Sequence, residues 1–315
     1  MPGTQRSVTL RFLAAPMDAN DRGRVGGGKI LEWIDKAGYA CAVGWTGHYC
    51  VTAYVGNIYF SRSIAVGHLV EVEARVVFTG RTSLQVVCTV SSTDPRTEER
   101  EINTQCLLIF VAMDSGGVPV EVPRFVPSDD WETEENERAR ALTGIRREVE
   151  DAMAVQSYTD ATEACRETLR FLAAPSDVNW GGKVHGGYVM DWIATAAKLV
   201  AQRWHHGHAK VKFAGGFRFY RPILIGDLVE VEARLIHTTA TDMHVSVHVR
   251  SCDPRGQEFH TTTHCALVYT AKDEQDNDVA VRPWVPVLPE DRALERHAVD
   301  LIAIRAKLGR TEPHA

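Results

Sequence analysis

Apolar positions along this chain follow two periodicities, and each pattern occurs twice. Ile30, Trp33, Ile34, Ala37 and Ala40 recur at helical spacing, and Val189, Trp192, Ile193, Ala196 and Leu199 repeat that stripe later in the chain. A glycine-rich turn precedes each stripe, at 20–28 and at 179–187. Downstream the period changes to two: 209–219, 227–236, 243–250 and 260–271 alternate apolar with polar residues, and each run has a counterpart in the first half. Asp253-Pro254-Arg255-Gly256 supplies a turn between two of these runs, as hairpin-linked strands require. One long helix followed by four or five antiparallel strands predicts an α+β domain whose sheet wraps the helix to cover its apolar face.

The repetition is literal at the start. Thr-Leu-Arg-Phe-Leu-Ala-Ala-Pro occupies Thr9 to Pro16 and again Thr168 to Pro175, an offset of 168 − 9 = 159. The same offset carries Val70–Arg75 onto Val229–Arg234, Asp94-Pro95-Arg96 onto Asp253-Pro254-Arg255, and Val126-Pro127 onto Val285-Pro286 without a gap. A unit this long is a whole domain and not a solenoid repeat, so the expectation is two like domains forming a pseudo-dimer. The expected boundaries are a first domain over 1–127, a helical linker over 128–167, a second domain over 168–287 and a C-terminal helix over 288–315. Charged stretches at 129–153 and 289–309 read as amphipathic helices, the first with an acidic start suited to a helix N-terminus.

Composition narrows the partners. With 44% hydrophobic and 24% charged residues and a net charge of −6, the chain has no global basic surface for nucleic acid. No apolar run approaches the roughly 20 residues that span a bilayer, and Met1 to Val8 lacks the apolar stretch of a signal peptide; a cytoplasmic location is expected. The seven cysteines are scattered without a C-x-x-C pair and are expected to be buried reduced thiols. Histidines cluster at 205–208 and at 260–264, but without a carboxylate or thiol at ligand spacing, and no metal is expected.

Val184-His185-Gly186-Gly187 at the helix start, Arg221-Pro222-Ile223, Ile225-Gly226-Asp227, Pro175-Ser176-Asp177-Val178-Asn179 and Gly80-Arg81-Thr82-Ser83 stand in an order that resembles the hotdog-fold acyl-CoA thioesterases, in both copies. The resemblance is to the cytosolic acyl-CoA hydrolases, single-domain bacterial and tandem animal alike. It implies two hotdog domains in one chain and hydrolysis of fatty acyl-CoA to fatty acid and CoA at a single composite site. It further implies no cofactor, coenzyme A being part of the substrate, and a homo-oligomer, commonly a trimer of pseudo-dimers.

Thioester hydrolysis needs donors for the developing oxyanion and a carboxylate to activate water or attack the carbonyl. Gly186 and Gly187 at a helix start offer backbone N–H groups that a substrate can approach closely, with His185 beside them. The carboxylate emerges from comparing the copies: Asp35 lies seven residues past Gly28, and its counterpart is Ala194 among apolar neighbours. An Asp at an interior position carries a desolvation cost seldom accepted without a function, the alternative being a solvated Asp35 beside Glu32 and Lys36. His185 is likewise matched by Gly26. In hotdog dimers of this resemblance a helix start faces the mid-helix carboxylate of the other copy. The intact site is therefore expected to combine Asp35 with His185, Gly186 and Gly187, and the complementary region, Gly26 to Gly28 with Ala194, is expected to hold no carboxylate.

The chain departs from the tandem animal pattern at Lys183, where those relatives carry an Asn; Asn179 or His185 is the candidate to orient water. Candidate partners for the CoA phosphates are Arg81 with Thr82 and Ser83, Arg62, Arg221 and Lys183. Two other functions compete. A non-catalytic acyl-CoA sensor would keep the groove and lose the carboxylate. An enoyl-thioester hydratase would need a D-x-N-P-x-H segment, from which Asp177-Val178-Asn179 departs by lacking the Pro.

Overall fold

A computed structural model describes residues 2–156 and 159–307. Contacts divide the described residues into two compact units: the first comprises 2–143 and 186–191, the second 144–156, 159–185 and 192–307. This division falls inside the expected linker and assigns the start of the second long helix to the first unit.

In the first unit the strands are β1 (Ser7–Leu13), β2 (Tyr49–Val55), the two-residue β3 (Ile58–Tyr59), β4 (Leu69–Thr79), β5 (Ser83–Thr93) and β6 (Arg100–Met113). They pair antiparallel in the order β1-β4-β5-β6-β2, with registers such as Phe12 on Val70, Cys88 on Cys106 and Thr52 on Phe110. Helix α1 (Gly27–Thr46) packs against all five of these paired strands. Its buried face includes Ile30, Trp33, Ile34 and Ala37 of the apolar stripe, with Cys41, Ala42 and Trp45 extending it, whereas Ala40 of the stripe is only half-buried. The approach is close at Gly38, where a Cβ would meet two Phe110 ring carbons at 3.0 Å. The helix stops at Gly47, whose φ of 72° closes the last turn through its N–H to the Val43 carbonyl.

The second unit repeats the arrangement with β7 (Arg166–Leu172), β8 (His208–Phe219), β9 (Leu228–Thr238), β10 (Asp242–Cys252) and β11 (His260–Lys272), antiparallel in the order β7-β9-β10-β11-β8. The alternation had placed β8, β9, β10 and β11 to within two residues at either end. Helix α4 (Gly186–His205) corresponds to α1. Phe171 packs edge-on against Trp192 as Phe12 stacks on Trp33, and Tyr269 Oη donates to the Ala194 carbonyl at 2.9 Å. The stretch after the first domain is two helices, α2 (Asp130–Ala141) and α3 (Thr143–Ala154), with Leu142 between them. Asp129 caps α2 by accepting from the Glu132 N–H at 2.7 Å, and Asn136 donates to the Val77 carbonyl on β4. The last helix, α5 (Pro289–Ala306), packs on β9 through Leu294 and Ala298 against Ile236. All seven cysteines are free thiols, six buried and Cys165 half-buried.

The two sheets differ in what they bury. His244 and His264 are pushed down to about 4 by burial, His248 is driven further below its ordinary value and His297 is lowered too. His248 faces His264, Arg234 and Arg250; His264 faces Arg218, His297 and Arg305; His244 faces His237, Asp242, Arg305 and Lys212. The corresponding first-unit positions are Gln85, Thr89, Gln105 and Arg138, none of them a histidine. Because these imidazoles bind protons more weakly folded than unfolded, their stabilisation is complete above about pH 6.5 and is lost as pH falls toward 4. His244 and His264 each contribute on the order of 1–2 kcal/mol of loss by pH 5. Hydrogen exchange followed from pH 7.5 to 5 should show β10, β11 and α5 losing protection before β5 and β6, and the His248→Gln, His264→Gln double variant should blunt the difference. Simultaneous loss in both units would contradict this assignment.

Candidate active site

The helix starts are built the same way in both units. A single helical turn, Pro16–Asp18 or Pro175–Asp177, is closed by an Asp carboxylate accepting from the backbone of Ala15 (2.8 Å) or Ala174 (3.0 Å). An Asn follows and ties the next loop to itself. Asn20 Oδ1 accepts from the N–H groups of Arg22 and Arg24, and Asn179 Oδ1 accepts from those of Gly181 and Lys183. The Asn179 amide also donates to the Val184 carbonyl at 3.4 Å. Its side chain is thus occupied in shaping the loop that leads to Gly186.

Asp35 is buried in the middle of α1, with 2% of its surface exposed. Its Oδ1 accepts from Thr52 Oγ1 at 2.7 Å and its Oδ2 accepts from the Gly187 backbone N–H at 2.9 Å. A Cβ on Gly186 would come within 2.9 Å of the same Oδ2, so only glycine leaves the carboxylate its place. The solvated alternative for Asp35 does not hold. Glu32 is the residue that pairs with Lys36, and with Lys29 at 3.0 Å. Burial pushes Glu32 up, but the hydrogen bonds and charges of Lys36 and Lys29 outweigh it and hold its carboxyl below the ordinary value. Lys36 also lies over the Tyr188 ring, 5.8 Å from its centroid.

The thiols of Cys88 and Cys106 are pushed up by burial and further by the Asp35 charge. They are therefore protonated and are not competing nucleophiles. The arrangement provides a desolvated carboxylate at the first N–H groups of a helix, where the unpaired donors and the dipole favour negative charge.

The expectation that the region of Gly26–Gly28 lacks a carboxylate is corrected. Asp191, three residues before Ala194, lies against Gly28: a Cβ there would coincide with an Asp191 carboxylate oxygen and stand 2.8 Å from its Cα. Burial, then the nearby Glu32 charge, pushes the Asp191 carboxyl up against the pull of Lys29. By the offset of 159, Asp191 is the counterpart of Glu32, one helical turn before Ala194, the counterpart of Asp35. The hydroxyl equivalent to Thr52 is also missing there, since position 211 is Val.

The other candidates lie elsewhere. His185 is 4% exposed, packs edge-on against Trp180 at 6.1 Å and donates its backbone N–H to the Asp177 carbonyl. Arg81, Thr82 and Ser83 form the β4–β5 turn, which the Gly80 N–H closes on the Ser83 carbonyl. Arg62 is engaged by Glu101 at 2.6 Å, Lys183 lies in the Asn179 loop, and Arg221 lines a cavity of the second unit. Thr52 escaped sequence reasoning altogether.

The profile of the thioesterase superfamily matches residues 23–99 and 181–256, once in each unit and across both helix starts. An uncharacterized acyl-CoA thioester hydrolase of Bacillus subtilis is 36% identical over 117 residues, covering 37% of this chain and 68% of its own. The chain belongs to the thioesterase superfamily. Rat acetyl-coenzyme A thioesterase is 26% identical over 96% of this chain, which spans only 57% of that relative's length. Human cytosolic acyl coenzyme A thioester hydrolase is 24% identical over 93% of this chain and 81% of its own. A Lactobacillus plantarum structure provisionally assigned as an oleoyl thioesterase superposes with a TM-score of 0.61 at 11% identity, covering 87% of this chain and all of the other, which places the tandem hotdog fold. No helix among the described residues is long and apolar enough to cross a membrane.

Thr52→Val removes a donor from a buried carboxylate and should destabilise the chain by about 1–3 kcal/mol in urea denaturation, whereas Thr52→Ser should stay within about 1 kcal/mol of the parent. Equal losses in the two variants would mean that the methyl packing of Thr52 matters and its hydroxyl does not.

Proposed function

We propose that this protein hydrolyses acyl-CoA thioesters to a carboxylate and free CoA, with Asp35 as the catalytic carboxylate. The observation that carries the reading is the placement of Asp35, buried and bonded to both Thr52 and the Gly187 N–H, at a helix start in a thioesterase-superfamily fold. The names of the relatives, acetyl- and acyl-coenzyme A thioesterases, support the substrate class.

In this reading the thioester carbonyl is drawn to the helix start at Gly186 and Gly187, where it takes the Gly187 N–H from Asp35 Oδ2 and leaves that oxygen free to react. The carbonyl oxygen becomes negative as the carbon is attacked, and the helix start stabilises that charge. Asp35, acting as general base, takes a proton from water; the resulting hydroxide adds to the carbonyl carbon, the C–S bond breaks, and the thiolate of CoA leaves and is protonated. Direct attack by the Asp35 carboxylate is the other route, with water then hydrolysing the anhydride. Thr52 keeps one carboxylate oxygen fixed while the other reacts. His185 and Asn179 act through the shape of the loop, and Arg81 with Thr82 and Ser83 are the candidates for the CoA phosphates. The same reading expects a homo-oligomer in the cytosol, a trimer of pseudo-dimers being the common assembly among the tandem proteins it resembles.

The test is release of free thiol across acyl-CoA chain lengths by the parent and by Asp35→Ala. The parent should turn over at least one chain length, and Asp35→Ala should lose about 10²–10⁴-fold in kcat. Gly186→Ala should also lower kcat, by about tenfold or more, since its Cβ displaces the carboxylate. Full activity in Asp35→Ala would remove Asp35 from the mechanism, and a parent silent on every chain length would favour a binding protein.

A further inference from the structure

The second unit contains a cavity of about 630 Å³, a size that accommodates a small organic ligand. It lies over strands β9, β10 and β11, with Ala154, Gln156, Thr159 and Asp160 along one side. Three guanidinium groups line it, those of Arg221, Arg234 and Arg250. Arg234 is 1% exposed and is fixed by Glu232 at 2.6 Å, Glu290 at 2.8 Å and the Thr159 carbonyl. Arg250 pairs with Glu230 and lies over the Phe259 ring. The remaining wall is aromatic: Tyr220 contacts His264, and His264 stacks on His248 at 5.5 Å and 27°.

Comparison with the first unit gives this chemistry a direction. The positions matching Tyr220, His248, Arg250, Phe259, His260 and His264 are Ser61, Thr89, Ser91, Arg100, Glu101 and Gln105. Where Arg62 is neutralised by Glu101, Arg221 is matched with His260 and has lost that carboxylate. Leaving histidines aside, the first-unit positions carry three cations (Arg62, Arg75, Arg100) and two anions (Glu73, Glu101), 3 − 2 = +1. The second-unit positions carry Arg221, Arg234 and Arg250 against Glu232 and Asp160, 3 − 2 = +1, so the formal balance is unchanged. Asp160 is taken up by Arg166 at 2.7 Å, and Arg234 and Arg250 by Glu232, Glu290 and Glu230. What the second unit has gained is an arginine, Arg221, without the carboxylate that neutralises its counterpart, and flat rings on one wall.

We propose that this cavity is a second binding site, separate from the Asp35 centre, for a small organic oxyanion with a planar ring. The oxyanion, a phosphate ester or a carboxylate, is met by Arg221 with the pre-fixed Arg234 behind it, and the ring stacks on Phe259 or Tyr220. Guanidinium groups already held in place lose little freedom on binding. The site does not depend on the hydrolytic reading.

Calorimetric titration of the full chain with phenyl phosphate and with benzoate tests it, with free CoA as competitor. At least one probe should bind once per chain with a millimolar or tighter Kd. The exposed, structurally inexpensive change Arg221→Ala should raise that Kd about tenfold or more, and Phe259→Ala should raise it several-fold. The probe that binds identifies the oxyanion. No binding of either probe at about 10 mM, or an unchanged Kd in Arg221→Ala, overturns the proposal. Displacement of the probe by CoA would make the cavity part of the substrate site and would overturn its independence.

Discussion

The bond from the Gly187 N–H to the Asp35 carboxylate is the constraint around which the site is arranged. A carboxylate buried to this degree needs donors, and a helix-start amide and a hydroxyl from β2 are among those supplied. That requirement accounts for the glycine pair, because a side chain at Gly186 would occupy the space of Oδ2. It also accounts for the loop before it. Asn179 holds the turn through three hydrogen bonds, and Asp177 closes the preceding one, so the chain arrives at Gly186 with little freedom left.

The same construction at the first helix start has a different outcome. Gly28 is also too close to a carboxylate to accept a side chain, but the carboxylate is Asp191, one turn earlier on its helix than Ala194, and the position equivalent to Thr52 is Val211, which supplies no hydroxyl. Lys29 instead serves Glu32 and Asp18. Two copies of one scaffold thus present two carboxylates in different electrostatic settings. One is bonded at both oxygens; the other is desolvated beside a like charge. Duplication supplied the material for that difference, and the gapless offset between the copies makes each change traceable to a single substitution.

Much of this was legible beforehand. Hairpin-linked strands and a single buried helix leave strong periodicities, and the repeat itself delimits the domain. Asp35 stood out because an acid replaced an alanine on a face otherwise apolar. Thr52 gave no such signal, since a threonine on a strand is ordinary and its importance arises only from the register that sets it beside α1. Asp191 was missed for the opposite reason: alignment of the copies directs attention to Ala194, whereas helix geometry sets the side chain one turn away against Gly28. The break at Leu142, which makes two helices of one amphipathic stretch, likewise depends on which unit each half packs against. Asn179 looked like a polar group facing substrate, but backbone amides within its own loop are the nearer partners.

The central claim is that turnover depends on the carboxylate fixed by Gly187 and Thr52 and not on the one lying against Gly28. Thiol release by Asp35→Asn and by Asp191→Asn, measured side by side on the same acyl-CoA, tests it directly. The account predicts a loss of about 10²-fold or more for Asp35→Asn and a change within a few-fold for Asp191→Asn. The reverse order, or equal losses in the two variants, would contradict it.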